Sequence, residues 1–242
     1  MRANSSLISH ILGSHPQISG YYEMHQSYLS ENDLLIQKER YLSRDNIKNG
    51  TVYLFDKLLH NKYQLKLEAL GLESPGLEKL ELNTIKILVA IRPPEQSIKS
   101  IINLFRKKKS AHPYADPKLA IEYYNNRILQ LAQFCEHYKN CYYYYDADFI
   151  RTEPQKSLLT IQHWLSLQSP LNEQYQIFSQ TGLARAGDSS DNMKKGTIIK
   201  KQSNYDAIEI PSTILSTIIK NTAKYRQAII NNAKESLVLE RS

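Results

Sequence analysis

The sequence predicts an α/β fold in which a mainly parallel sheet is flanked by helices. Apolar runs typical of buried strands alternate with helical segments along the chain, which is the order that builds a parallel sheet. In addition, the clearest strand, Ile85 to Ile91, is followed by Pro93, Pro94 and a helix. A strand, a tight loop and a helix in this order form half of a βαβ unit, whose strands are covered on both faces.

Length and composition favour one large globular domain over residues 1–242. The chain has 41% hydrophobic residues with 8 Gly and 9 Pro, which excludes collagen-like, low-complexity and wholly disordered chains. Its 31 basic and 24 acidic side chains leave a net charge of +7 at pH 7. Such a charge suits an anionic ligand, a nucleic acid or a membrane surface equally well, so charge alone does not choose among them.

Two helices and one strand are predicted near the N-terminus. Apolar side chains recur at helical spacing from Ser5 to Leu12 and again, with a moderately amphipathic pattern, from Ser30 to Ser43. The short apolar run from Val52 to Phe55 ends at two charged residues. Continuous apolar runs of this kind are typical of buried strands, so we expect a buried strand here.

The rest of the chain predicts four more helices and an aromatic strand. Glu95 to Lys108 carries its apolar side chains on one face, and Pro117 opens a long helix that continues through Tyr138. Consecutive tyrosines favour a strand from Cys141 to Tyr145. The remaining segments are helices over Gln155 to Leu167 and Ser212 to Asn232, with a polar, glycine-containing stretch from Gln180 to Ser203 between them.

Targeting signals and metal sites are not expected from this sequence. Apolar runs fall short of the ~20 residues that a membrane-spanning helix needs, and the first residues lack the apolar core of a secretory signal. We therefore expect no membrane segment and a cytoplasmic location. The two cysteines, Cys135 and Cys141, lack His or Cys companions at metal-ligand spacing, so both are expected to be free thiols.

The first residues carry the features of an anion site. Arg2 precedes the first predicted helix, and the hydroxyls of Ser5 and Ser6 lie at its start. Free backbone N–H groups and the helix dipole favour negative charge at this end of a helix. Serine and asparagine are also ordinary helix caps, and a cap without a ligand is the more common case.

The segment from residue 2 to residue 23 resembles the 5′-phosphosulfate loop of sulfotransferases, most closely in the branch that includes tyrosylprotein sulfotransferases. A basic residue, two hydroxyls, a His-Pro pair and an acidic residue follow one another at the family's spacing. Asn4 stands where the family's loop has glycine, and asparagine tolerates left-handed backbone better than most residues. The matching residues are Arg2, Ser5, Ser6, His15, Pro16 and Glu23.

Two further pairs match the family in the expected order. Arg92 and, on the following helix, Ser100 occupy its 3′-phosphate site. A guanidinium can hold a phosphate through two parallel hydrogen bonds, whereas the alternative for Arg92 alone is a solvated strand-end cation. Asp56 and Lys57 resemble the family's Asp-Lys motif, whose lysine reaches toward the transferred group, and a strand-end ion pair is the alternative interpretation.

A late segment, Gly187 to Gly196, resembles the family's loop that closes over the nucleotide. In that comparison Ser189 or Ser190 faces the sulfuryl group, and Lys195 together with Gly196 contacts the 3′-phosphate. The motifs together cover residues 2 to about 200, and their shared order makes the resemblance fairly specific although each is permissive alone. Structural or packing roles are expected for His10, His15, His60, Asp146 and Asp148.

The resemblance implies a P-loop-type three-layer fold and in-line transfer of a sulfuryl group from 3′-phosphoadenosine-5′-phosphosulfate (PAPS) to an acceptor hydroxyl of a small molecule, a sugar or a protein tyrosine. Arg2, Lys57 and Ser190 would stabilise the spreading negative charge. Glu23 would be the general base, with His25 as its rival because the small-molecule branch uses histidine. No metal is required.

Other interpretations follow from what the chain lacks and from its basic patches. In this family a central strand precedes the 5′-loop, so we expect the first, central strand to be missing, as in a truncated, catalytically impaired member.

The basic run from Arg106 to Lys109 and the 17 tyrosines point to an alternative function, a binder of nucleic acid or acidic surfaces. Solvated cations that complement a helix dipole explain that run better, and a known nucleic-acid-binding fold is not visible, so no nucleic-acid partner is expected. A P-loop kinase is disfavoured because the lysine-serine end of its phosphate loop is absent.

Overall fold

The computed structural model describes residues 3–44, 47–70, 85–107, 111–181, 191–200, 205 and 207–239. Within these ranges the chain is mixed α/β, and helices flank small parallel sheets, which confirms the predicted class. The chain forms two compact units. Unit 1 comprises Met1–Asn4, Ile87–Thr152 and Lys200–Ser242, and unit 2 comprises Ser5–Lys86 and Glu153–Ile199. A single domain over residues 1–242 stays a prediction.

Helices and strands alternate along the described part of the chain. In chain order they are α1 (Ser5–Ser14), β1 (Ile18–Ser19), α2 (Glu31–Arg44), β2 (Tyr53–Leu54), β3 (Ile87–Ile91), α3 (Pro94–Arg106), α4 (Pro117–His137), β4 (Tyr142–Asp146), α5 (Phe149–Thr152), α6 (Pro154–Trp164), α7 (Ser212–Asn232) and β5 (Glu235–Leu237).

Unit 1 is built on a parallel three-stranded sheet in the order β3-β4-β5. Ile87 pairs with Tyr142 and Ile91 with Asp146, so β3 and β4 run in register along their whole length. All five residues of β4 are buried because this strand is central. Its tyrosine hydroxyls need partners there, and that of Tyr142 donates to the Ile229 carbonyl at 2.6 Å.

Helices α3, α4 and α7 form the core of unit 1 with this sheet. Helix α3 presents Ile98, Ile101 and Ile102 to the core, and their i, i+3 and i+4 spacing makes one buried stripe. Its first residue is Pro94, which suits a helix start because no N–H partner is needed there. The proline pair therefore begins the helix immediately after β3 and leaves Arg92 at the strand's carboxyl end.

Unit 2 contains α1, which is buried along most of its length, and a short parallel sheet. In that sheet Ile18 pairs with Tyr53 and Ser19 with Leu54. The ammonium of Lys48 caps the carboxyl end of α1. It donates to the Gly13 carbonyl in the helix. It also donates to the carbonyls of His15, just after the helix, and Ile18, in β1, at 3.0 Å each. Burial lowers the pKa of Lys48.

The predicted helices occur within a few residues of their expected bounds, but some strands differ. The segment from Val52 to Phe55 was expected to be a buried strand; a strand is present there, but it is shorter than expected and the predicted burial is wrong. Only Tyr53–Leu54 pair, both are half-buried, and Val52 is 60% exposed. Strands β1 and β5 and helix α5 have no counterpart among the predictions, because elements of two to four residues carry too little periodicity to be read.

Two expectations about thiols and membrane segments can be compared with the structure. Cys135 is buried, Cys141 is exposed, and both are free thiols as predicted. Among the helices described here, none combines the length and the apolar character needed to span a bilayer.

Gly20 gives a direct test of the core of unit 2. Its backbone lies in the left-handed region at φ +100°, and a Cβ atom there would overlap the buried Tyr41 hydroxyl, which donates to the Phe55 carbonyl. Strain and overpacking add, so Gly20→Ala is expected to lower the free energy of unfolding by about 3 kcal/mol in urea titrations.

Gly50 is the matched control, because it has φ +87° but no atom within 4 Å of an added Cβ. Gly50→Ala introduces backbone strain alone and should lower the free energy of unfolding by about 1 kcal/mol. Equal losses for the two variants would contradict the packing described for Gly20.

Candidate functional site

Unit 1 places Arg92 at the carboxyl end of β3, as predicted. The side chain is only 7% exposed, and its Nε donates to Asp148 Oδ1 at 2.9 Å. Within the described ranges this is the single hydrogen bond of the guanidinium, so no described side chain or carbonyl contacts the Nη1 and Nη2 edge. That edge is the one that binds phosphate oxygens in the bidentate manner.

Asp148 connects Arg92 to the residue before α1. Its buried Oδ1 accepts from Arg92 Nε and also from Asn4 Nδ2 at 3.2 Å. The Asn4 amide further donates to the Ala147 carbonyl at 2.8 Å and accepts from Arg151 Nε at 3.2 Å. Asp148 therefore has the structural role expected of it, and Arg151 is a second guanidinium that the sequence analysis did not identify.

Asn4 adopts left-handed backbone with φ 54°. This is the conformation that glycine supplies at low cost and that asparagine tolerates better than most residues. Asn4 thus has left-handed backbone at the position that was compared with a loop glycine, and the resemblance to the 5′-phosphosulfate loop stays a prediction.

Ser100 lies on α3 and is buried. Its Oγ accepts a hydrogen bond from the Tyr205 hydroxyl at 3.1 Å. The sequence analysis missed Tyr205, because an isolated tyrosine in a polar stretch gives no signal of such a contact. Asp146, by contrast, has a structural role: it accepts from Tyr144, Arg226 and the backbone of Leu239, and so joins β4 to α7 and to the chain after β5.

Unit 2 holds Ser5 and Ser6 in the first turn of α1 and brings Lys57 to the same helix. Lys57 follows β2, is 6% exposed, and its Nζ lies 3.4 Å from Ser9 Oγ. Burial lowers the pKa of Lys57 to about 8, although the nearby charges of Glu23 and Asp56 oppose this shift. An amine in this position is charged at neutral pH but close to losing its proton.

The charge of Glu23 acts on the Lys57 amine more strongly than that of Asp56 does. Its side chain is 11% exposed, and Oε1 is buried without a hydrogen-bond partner within the described structure. Burial raises the pKa of Glu23, and the charges of His25 and Lys57 partly oppose that rise. A carboxylate with a raised pKa and a vacant oxygen has the properties of a general base.

His25, the rival base, lies beside Glu23. Its Nδ1 is 3.6 Å from Glu23 Oε1, beyond normal hydrogen-bond length, and its side chain is 45% exposed. The backbone of His25 is left-handed at φ 55°. Strained backbone of this kind clusters at functional sites, which makes the segment around Glu23 a candidate site on independent grounds.

Asp56 organises this region through three hydrogen bonds. Its Oδ1 accepts from the backbone N–H groups of Met24 at 2.8 Å and Lys57 at 2.6 Å, and its Oδ2 accepts from the Tyr28 hydroxyl at 2.6 Å. Burial raises the pKa of Asp56, and these hydrogen bonds together with the Lys57 charge act against the rise.

The remaining predicted site residues lie elsewhere in unit 2 or outside the described residues. Gly196 has φ 64°, and its carbonyl accepts from the Tyr175 backbone at 2.8 Å, while Lys195 is exposed at the end of a 3₁₀ helix. Arg2, Ser189 and Ser190 fall outside the ranges that the structure describes.

Two histidines have packing and turn roles. His10 is buried among Tyr21, Tyr175 and Phe178, and its Nδ1 donates to the Ser6 carbonyl at 2.7 Å. The Nδ1 of His15 accepts from the Gln17 backbone at 3.2 Å, as a turn residue does.

Neither metal-ligand geometry among the described residues nor similarity to known proteins identifies the role of these side chains. In the described ranges no cluster of three or more His, Cys, Asp or Glu side chains could hold a metal ion. No protein-family model matches the chain, and no curated protein matches it either. The case for a site rests on the residues themselves.

The lowered pKa of Lys57 predicts how stability depends on pH. Below about pH 8 the amine is protonated in the folded and the unfolded chain, whose ordinary lysine pKa is 10.5. Between these values only the unfolded chain holds the proton, so the free energy of unfolding should rise with pH. Relative to Lys57→Met, wild type should gain about 2 kcal/mol between about pH 7 and about pH 9.5.

Urea unfolding at the two pH values measures this difference. Lys62→Met is the control, because Lys62 is exposed and should give no comparable change. If the free energy of unfolding of wild type relative to Lys57→Met stayed constant or fell with rising pH, the burial of the Lys57 ammonium would be contradicted.

Proposed function

We propose that this chain is a sulfotransferase with a P-loop-type fold that moves a sulfuryl group from PAPS to an acceptor hydroxyl. One observation carries the proposal: unit 2 buries the ammonium of Lys57 next to Ser9 of α1 and within the electrostatic reach of Glu23. By analogy with phosphoryl transfer, such a reaction requires a cation where negative charge develops and a base for the acceptor's proton. The two side chains supply these two functions.

The chemical step can be written on the side chains of unit 2. As the acceptor oxygen bonds to sulfur, Glu23 takes the hydroxyl proton, and the bond from sulfur to the 5′-phosphate oxygen breaks. Lys57 donates a hydrogen bond to the departing oxygen and stabilises its charge. Glu23 must be ionised and Lys57 protonated, so the proposed reaction has an upper pH limit at about pH 8.

The cofactor contacts are proposed from the resemblance and from local geometry. The first turn of α1, with Ser5 and Ser6, would bind the 5′-phosphosulfate through its hydroxyls and free N–H groups. The left-handed backbone of Asn4 supports this assignment, because the family's loop has glycine there. The resemblance adds Arg2, Ser189, Ser190, Lys195 and Gly196.

In unit 1 the 3′-phosphate contact is proposed for Arg92 and Ser100. Asp148 holds Arg92 through Nε, which leaves the two Nη groups for phosphate. A small molecule, a sugar or a protein tyrosine would carry the acceptor hydroxyl, and no nucleic acid is needed. Loops that select among such acceptors vary on one scaffold.

Calorimetric titration with adenosine 3′,5′-bisphosphate and with adenosine 5′-monophosphate tests the nucleotide assignment. Wild type should prefer the bisphosphate, and Arg92→Lys should weaken its binding by about tenfold to a hundredfold, because lysine cannot form the bidentate contact. Binding of the monophosphate should change little, since it lacks the 3′-phosphate.

Arg106→Lys is the charge-matched control, because Arg106 is an exposed cation at the end of α3, the helix that follows Arg92. Arg92→Lys keeps the charge beside Asp148, so the variant should remain folded. Equal affinity for the two nucleotides, or an unchanged affinity in Arg92→Lys, would contradict the proposal. If the chain binds neither nucleotide but binds nucleic acid in a salt-dependent manner, the alternative function as a nucleic-acid-binding protein would be favoured instead.

A further inference from the structure

Asp56 lies where three segments of unit 2 meet. It follows β2, and its carboxylate receives donors from the chain around residue 24, from Tyr28 and from Lys57. All three partners donate, so the carboxylate acts only as an acceptor, which is the behaviour of its ionised form. Asp56 is half-buried, and its charge-assisted hydrogen bonds constrain the local backbone.

One oxygen of Asp56 joins the two residues to which the proposed chemistry assigns roles. Oδ1 accepts from the amide that directly follows Glu23 and also from the amide of Lys57 itself. The backbone positions of the proposed base and of the proposed cation are thereby fixed to the same atom. Oδ2 is held in turn by the Tyr28 hydroxyl, so the carboxylate cannot rotate freely.

We infer that Asp56 is a positioning residue of the proposed transfer reaction: its Oδ1 accepts from the Met24 and Lys57 amides and so sets the spacing between Glu23 and Lys57. The part of this inference that concerns the reaction rests on the proposed function. The part that concerns Asp56, Met24 and Lys57 rests on the hydrogen bonds alone.

The charge of Asp56 affects both neighbours in the same direction. Its negative charge raises the pKa of Lys57 and also raises the pKa of Glu23. Removing the charge should therefore lower both pKa values. The pH range in which Glu23 is ionised and Lys57 is protonated should then move to lower pH. Among the described residues, the other titratable and charged groups that act on Glu23 or contact Asp56 include His25, Tyr28, Arg40 and Tyr41.

Two substitutions separate the position of Asp56 from its charge. Asp56→Asn keeps an oxygen that can accept from Met24 and Lys57 but removes the negative charge. Asp56→Ala removes both. Asp33→Asn is the matched control, because Asp33 is another aspartate of unit 2 that accepts backbone N–H groups, from Leu29 and Ser30, but it is exposed.

The first measurement needs no catalytic activity. NMR of the full chain, with labelled lysine and backbone amides, reports the pKa of Lys57 and the hydrogen bonds of the Met24 and Lys57 amides, with Lys57→Met for assignment. In Asp56→Asn the two amide resonances should stay within the wild-type pattern while the pKa of Lys57 falls below about 8. In Asp56→Ala both amides should lose their hydrogen-bonded shifts.

The second measurement is the pH profile of sulfuryl transfer. Asp56→Asn should shift both limbs of the profile to lower pH, whereas Asp56→Ala should lower kcat by about a hundredfold with little change in KM for PAPS. Asp33→Asn should leave kcat and the profile unchanged. A purely structural role for Asp56 would lower the amount of folded enzyme without moving the profile.

The two measurements fail in distinguishable ways. Wild type could transfer no sulfuryl group while the two Asp56 variants change the Lys57 pKa and the amide hydrogen bonds as expected. In that case the proposed function is wrong, and the positioning of Met24 and Lys57 by Asp56 stands. If Asp56→Asn leaves the Lys57 pKa and the pH profile unchanged, the inference is overturned whether or not transfer occurs. Because Asp56→Asn is isosteric, this result does not depend on the folding of Asp56→Ala.

Discussion

The need to pair a buried charge governs both units of this protein. Among the described residues, Arg92 in unit 1 and Lys57 in unit 2 are buried cations, and an aspartate accepts a hydrogen bond from each residue. Removing a charge from water costs free energy, which hydrogen bonds and nearby opposite charges offset in part. Asp148 binds the guanidinium directly, whereas Asp56 holds the lysine by its backbone and leaves the ammonium to other contacts.

These two solutions have different consequences. The side-on contact with Asp148 occupies Nε of Arg92 and preserves the edge that binds phosphate, so the pairing also orients the group for a ligand. Lys57 lacks a direct ion pair at short distance among the described contacts, and burial lowers its pKa. The protein thus accepts a loss of stability at neutral pH at the position where a reactive cation is proposed, as functional sites commonly do.

Sequence reasoning succeeded where signals are periodic or local. The helices and the strand before Arg92 follow from apolar spacing and from the proline pair, and the left-handed backbone of Asn4 follows from the motif. It failed for elements that depend on tertiary partners, such as the two-residue pairing of β1 with β2, and for Arg151 and Tyr205, whose contacts are distant along the chain. Periodicity carries no information on such contacts.

The central claim is that the chain transfers a sulfuryl group with the help of Lys57. The most direct measurement is transfer of radioactive sulfate from labelled PAPS to a mixture of phenolic, sugar and tyrosine-peptide hydroxyls, with wild type, Lys57→Met and Lys62→Met compared. The account predicts a labelled acceptor with wild type and with Lys62→Met, and a rate reduced by about a hundredfold or more with Lys57→Met. Absence of labelled acceptor with folded wild type, or equal rates for all three proteins, would contradict it.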